Sequence, residues 1–370
     1  MHTQWESLAN DHILGIAPYE PGKPIEELER ELAIHDAIKL ASNENPLPPS
    51  DRVRDAIATA LATLNRYPDG SGFYLRQALA KKHGVSPEHI VLGNGSNELI
   101  EMPVRAFLRP GDEAVVPHPS FVVYQMIVQA AGGIRVMVML KDYRIDLEAM
   151  ARAITPMTKL VFIANPNNPT ATITTAEEVE HFMTRVPERT IVVFDEAYIE
   201  FALGPDFPDT LAYVKQGRKV AVLRTFSKAT SLAGLRVGYG VADPDAISLV
   251  NRIRQPFNVN SLAQAGALAA LDDEAHVLEC VRMIEAGRHF LYEEFKALAL
   301  RYVPSRANFI LVDVGRSAAE IYQKLLHEGV IVRPMTPFGM ETALRITIGT
   351  PEENRRLVKA LRTVLGSKRG

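Results

Sequence analysis

The chain has 370 residues, of which 47% are hydrophobic and 23% charged, and its formal net charge is -3. That length exceeds the size at which a single core keeps growing, so two domains are expected. Near-neutral charge gives no electrostatic footprint for nucleic acid or anionic lipid, and the sequence contains no run of about 18 apolar residues that could span a membrane.

In chain order, the first dozen residues carry acids and no apolar core of a signal peptide, which predicts a cytoplasmic protein. Residues 1–49 are irregular and rich in proline, and they read as an arm wrapping a surface, with one short helix near 25–32. From Ser50 onward Val53, Ile57, Leu61 and Leu64 recur at helical spacing, up to Tyr67-Pro68-Asp69-Gly70. A second helix near 75–83 stops at Gly84.

Short apolar runs then alternate with helical stretches, at 90–92, 114–116, 136–140, 160–164, 191–194, 220–223 and 237–241. Several are apolar without alternation, as strands buried on both faces must be. Between two of them, Thr174 and Glu177 suggest a capping box that opens a helix over 174–186. This rhythm predicts an α/β fold: a mostly parallel sheet with helices on both faces. Beyond residue 262 it changes to a long helix near 277–298, a strand at 308–314, a helix capped by Ser317 and Glu320, a strand at 344–348 and a closing helix. The expected division is an arm at 1–49 that joins the small domain, a large domain at 50–261 and a small α+β domain at 262–370. Cys280, the only cysteine, sits on an apolar helical face without a positive neighbour and reads as a packing residue.

In open α/β sheets the ligand lies beyond the carboxyl ends of the strands, so the polar residues after each run should converge. They are Gly95-Ser96-Asn97, Phe121, Asn168, Asp195, Tyr198, Thr225, Ser227 and Lys228, with Arg236 before the last run. Together they provide an amine, a carboxylate, a phenol, an amide, an aromatic face and an anion cradle, the groups that pyridoxal phosphate requires. Lys228 would condense with the aldehyde and Asp195 would keep the pyridine nitrogen protonated. Tyr198 and Asn168 would bond the ring oxygen, and Phe121 would stack on the ring. The phosphate would lie on the helix N-terminus at Gly95, Ser96 and Asn97, with Thr225, Ser227 and Arg236 as further donors. No metal is expected, and Gly238 and Gly240 have no role that the sequence alone reveals.

Those motifs resemble the fold-type I pyridoxal-phosphate aminotransferases and, within them, the histidinol-phosphate aminotransferases of histidine biosynthesis. The general marks are Asn168-Pro169-Thr170, Asp195-Glu196-Ala197-Tyr198, Ser227-Lys228 and Arg236-Val237-Gly238-Tyr239. The narrower ones are the arm Tyr19-Glu20-Pro21-Gly22-Lys23-Pro24, then Asn43-Glu44-Asn45-Pro46, Arg66-Tyr67-Pro68-Asp69 and Leu344-Arg345-Ile346. The resemblance implies transamination in two half-reactions, with Lys228 moving a proton. It implies that Arg345, Arg333, Tyr19 and Asn43 meet the substrate, glutamate or histidinol phosphate. It also implies a homodimer in which Tyr67 reaches the other subunit's cofactor. One departure is Ala171, where relatives carry glycine: if the turn needs φ > 0, alanine costs about 1 kcal/mol. Three alternatives stay open: an aromatic amino-acid aminotransferase on the same scaffold, a decarboxylase for an amino-acid phosphate ester, and a cofactor-binding module without turnover.

Overall fold

The computed structural model describes residues 4–366. Its centre is a seven-stranded sheet ordered Ile90–Gly93, Gly238–Val241, Val220–Thr225, Ile191–Asp195, Thr158–Ala164, Glu113–His118 and Ile134–Met139. All pairings are parallel except those of Gly238–Val241, which runs antiparallel to both neighbours. Its first residue, Gly238, therefore pairs with Gly93 and Thr225, the last residues of the flanking strands. That inversion brings Arg236, which precedes a strand, to the same sheet edge as residues that follow strands.

Both faces are covered, as expected for runs without alternation. One face packs on Asp51–Ala60, Phe73–His83, Leu147–Ala153, Ala176–Arg185 and Ser261–Leu271. The other packs on Gly95–Phe107, Val123–Ala130 and Pro244–Asn251. Phe162, Val193 and Phe194 between them are fully buried.

A four-stranded antiparallel sheet, ordered Arg333–Pro334, Ala343–Thr347, Phe309–Asp313 and Arg301–Tyr302, forms a second core with Glu274–Ala297, Ala318–His327 and Pro351–Gly366. The arm joins it: Ile38–Lys39 pairs in parallel with Val330–Ile331, and Leu28 and Ala41 pack on Leu326 and Ile331. Ser261–Leu271 lies against Asp51–Ala60 and Phe73–His83, and its Ala263 and Ala267 belong to the large core. We therefore propose that the small domain starts at residues 272–273 rather than at 262.

Two local expectations shift. The capping box forms one residue later, between Thr175 and Glu178. Asn165 explains this, since its side chain bonds both the N–H and the carbonyl of Thr174 and holds that residue in the preceding loop. The helix expected at 75–83 begins at Phe73, whose N–H donates to Asp69 Oδ2 at 2.8 Å. Ser317 does cap its helix, accepting from the Glu320 N–H. Cys280 is buried, and burial pushes its thiol up to about 12. Among the described residues no helix is long and apolar enough to cross a membrane.

Candidate active site

At the carboxyl edge of the large sheet, between the two cores, lies a cavity of about 340 Å3. Thirteen of the residues named from sequence line it: Tyr19, Asn43, Ser96, Asn97, Phe121, Asn168, Asp195, Tyr198, Thr225, Ser227, Lys228, Arg236 and Arg345. Gly95 adjoins it as the first residue of Gly95–Phe107. The cavity also brings in Tyr124, which sequence reasoning did not single out, and Glu44, which it named within a motif without a role.

Asp195 ends its strand facing this space. Its Oδ2 accepts the Tyr124 hydroxyl at 2.6 Å, and its Oδ1 accepts the Ala197 N–H at 3.2 Å. Burial pushes the carboxyl up to about 6, partly offset by those two bonds. Tyr124, in Val123–Ala130, donates its N–H to the Phe121 carbonyl at 3.2 Å and meets the Phe121 ring edge-on at 5.7 Å, so both line the same cavity wall. Tyr198 is buried, its ring meets Phe309 edge-on at 5.2 Å, and its hydroxyl accepts from Asn43 Nδ2 at 3.0 Å. Burial pushes the phenol up to about 12, so it remains a hydrogen-bond donor at neutral pH.

Lys228 follows the strand Val220–Thr225 and is half-buried; its Nζ donates to the Asn43 carbonyl at 3.0 Å and lies 5.3 Å from the Tyr198 ring centroid. Burial, reinforced by the nearby Arg345 charge, lowers its amine to about 8. Arg345, on the small sheet, is buried. Its Nη1 donates to Asn168 Oδ1 at 2.6 Å and its Nη2 to the Ala41 carbonyl at 2.7 Å, while its Nε has no partner. Its guanidinium faces the Phe309 ring at 5.4 Å.

The opposite wall is an anion cradle. Helix Gly95–Phe107 has no side-chain cap, so its first-turn N–H groups at Ser96 and Asn97 face the cavity with the positive end of the helix dipole. Ser227 Oγ accepts from Thr225 at 2.9 Å and from Arg236 Nη1 at 3.5 Å, which leaves its own O–H to donate. Gly238 acquires a role here. A Cβ on it would sit 2.8 Å from the Arg224 carbonyl and 3.1 Å from the Ser96 nitrogen, so only glycine lets the strand approach the cradle. Arg236 holds φ at 56°, which ends the turn and starts the strand at Gly238 rather than at Val237.

Two named residues lie elsewhere. Tyr67 is 81% exposed and stacks on Phe257 with ring centroids 4.7 Å apart, on the outer surface of the chain. Arg333 does not line the cavity; its Nη2 donates to the Glu20 carbonyl at 2.7 Å and its guanidinium lies 5.9 Å from the Tyr19 ring, fastening the arm at the mouth. Ala171 is fully buried with φ at 59°, so the turn does demand the left-handed conformation. Its N–H bonds Asn167 and its carbonyl accepts from Arg306, and those bonds hold it there.

The donor set fits pyridoxal phosphate. An uncapped helix N-terminus, a free hydroxyl and a guanidinium suit a phosphate dianion, a buried carboxyl suits a pyridinium, and a lysine amine with lowered proton affinity suits an aldehyde. Arg345, whose Nε has no partner, lines the same cavity.

Comparison with known proteins gives the same direction. The model of "Aminotransferase class I and II" matches residues 35–361. The histidinol-phosphate aminotransferase of Moorella thermoacetica is 50% identical over 354 residues, covering 95% of this chain and 92% of its own. Histidinol-phosphate aminotransferase 2 of Pseudomonas fluorescens is 51% identical over 361 residues, covering 97% and 98%. The crystal structure of the Sinorhizobium meliloti histidinol-phosphate aminotransferase in complex with pyridoxal-5'-phosphate superposes with a TM-score of 0.89 at 31% identity, covering 97% of this chain and 98% of that one. The chain belongs to the class I and II aminotransferases.

Proposed function

We propose that this chain transfers an amino group between histidinol phosphate and 2-oxoglutarate, a step of histidine biosynthesis, with pyridoxal phosphate as cofactor. The observation that carries the reading is the single cavity in which Lys228, Asp195 and Tyr198 face an uncapped helix N-terminus, beside a buried Arg345 that has no carboxylate partner among the described residues.

When bound, pyridoxal phosphate supplies an aldehyde that takes up the substrate's amino group and a ring that accepts electrons from the substrate's α-carbon. Asp195, ionised against the ring nitrogen, would keep that nitrogen protonated; Tyr124 and the Ala197 N–H fix its two oxygens. Tyr198 and Asn168 would donate to the ring oxygen, and Phe121 would cover the ring. Ser96, Asn97, Ser227 and Arg236 would hold the phosphate, with Gly95 and Gly238 providing the approach and Thr225 orienting Ser227. Lys228 is the catalytic residue. With its amine lowered to about 8, about one tenth is unprotonated at pH 7, far more than for an ordinary lysine, and can take the α-proton and return it.

Arg345 grips the substrate anion. Its planar fork can meet the α-carboxylate of glutamate or the phosphate of histidinol phosphate through paired donors. Arg333 and Tyr19 close the mouth over that anion, and Asn43 lines the same side. The exposed Tyr67 is available to reach the cofactor phosphate of a second subunit in a cytoplasmic homodimer.

Turnover of histidinol phosphate should exceed that of phenylalanine by at least roughly tenfold in kcat/KM, because the phosphate contacts have no counterpart in a phenyl ring. A clear preference for phenylalanine would replace this reading with an aromatic aminotransferase.

A further inference from the structure

Asn43 is buried, yet its backbone is left-handed, with φ at 53°. Its contacts reach both sheets. The carbonyl accepts from Lys228 Nζ at 3.0 Å and from Asn308 Nδ2 at 3.0 Å. The N–H donates to Thr347 Oγ1 at 2.9 Å, and Nδ2 donates to the Tyr198 hydroxyl at 3.0 Å. Lys228 and Tyr198 follow strands of the seven-stranded sheet, whereas Asn308 precedes and Thr347 ends strands of the four-stranded sheet.

We propose that Asn43 is a positioning residue whose left-handed backbone presents a fixed carbonyl to the Lys228 amine and ties that amine to the small domain. The proposal rests on the transaminase reading. An amine that donates one N–H to a braced acceptor loses free rotation about its Cε–Nζ bond. Its lone pair then points away from the acceptor, which narrows the directions from which it can receive a proton. Asn308 and Thr347 brace the acceptor on the small-domain side, so a displacement of the four-stranded sheet would carry the carbonyl with it. The unusual φ is what makes both sets of bonds compatible. Rotation to an ordinary conformation would turn the carbonyl relative to the N–H and break one set. Asparagine tolerates this region better than most residues, and glycine tolerates it freely.

Comparison of Asn43→Gly with Asn43→Ala separates backbone from side chain, because both lose the amide bond to Tyr198 and only glycine keeps easy access to positive φ. In single-turnover mixing with glutamate, N43A should fall roughly tenfold or more below N43G. A second readout needs no turnover. The pH midpoint for cofactor uptake by the cofactor-free protein, set by the Lys228 amine, should move to lower pH in N43A relative to N43G, since the lost acceptor no longer favours the charged amine. Should N43A fail to fold, Asn308→Ala carries the test, because it leaves residue 43 in place while removing the brace on its carbonyl, together with a 3.3 Å bond to the Glu44 carbonyl, and should also slow the single turnover. Equal rates and midpoints in N43G and N43A, or N308A at the wild-type rate, would overturn the proposal. A wild-type protein that does not respond to glutamate would instead overturn the transaminase reading.

Discussion

The same two strand ends carry two opposite electrostatic arrangements. Asp195 and Thr225 face the cavity, while their chain neighbours Glu196 and Arg224 form a buried pair, with Arg224 Nε at 2.9 Å and Nη2 at 2.8 Å from Glu196 Oε2. Thr210 satisfies the other Glu196 oxygen, and Tyr239, joined to His83 Nε2 at 2.9 Å, extends the network. Burial and the Arg224 charge lower His83 to about 4, so it stays neutral. Even Glu200, beside this network with one oxygen unpartnered, is pushed by burial to about 7, so about half of it is protonated at neutral pH. In the cavity Asp195, Lys228 and Arg345 form no direct ion pair among the described residues: the Arg345 Nε has no partner, the helix is uncapped, and Asp195 meets only a phenol and one N–H, with Lys228 acting on it at longer range. Buried charge that is paired builds scaffold, and buried charge left open marks the ligand site.

Several substitutions break or sharpen that contrast. The largest effect belongs to Lys228→Ala, which should lower kcat by at least about a thousandfold while part of the cofactor affinity remains, measurable by equilibrium dialysis. On the paired side, Glu196→Ala strands Arg224 and should cost about 3–5 kcal/mol in denaturant unfolding, far more than any single change on the open side. Asp195→Asn should behave in the opposite sense. The folded carboxyl titrates near 6 and the unfolded one near 3.8, so the folded state binds the extra proton between those values. Its contribution is therefore full below about pH 4 and lost as pH rises through about 6. The variant should be about 2 kcal/mol more stable than wild type at pH 7 when free of cofactor, lose that gain by about pH 4, and lose turnover on the order of a hundredfold. The smallest change is Ala171→Gly, in which relief of the positive φ opposes loss of a buried methyl; thermal denaturation should place it within about 1 kcal/mol of wild type.

Much of this was legible because the chemistry sits where apolar runs stop. All seven runs of the large sheet became strands, and Asp195, Lys228 and Asn168 lie one, five and four residues beyond the ends of three of them. The rest depended on contacts that periodicity cannot carry. Tyr124 reads as one more apolar residue of a short helix until its hydroxyl meets Asp195. Gly238 looks like an ordinary strand glycine, and its reason is the Ser96 nitrogen brought beside it by an antiparallel pairing. Thr174 and Thr175 are equivalent caps on paper, and Asn165 chooses between them. The alanine-rich helix Ser261–Leu271 carries no sign of which core it joins. Arg333 and Tyr67 lie outside the cavity because one fastens the arm and the other projects from the surface.

The most direct measurement is the visible absorption spectrum of the cofactor-loaded protein on addition of glutamate alone. The account predicts that the band of the lysine-linked cofactor disappears and that 2-oxoglutarate, added afterwards, restores it. A band that persists at saturating glutamate would contradict amino transfer at Lys228.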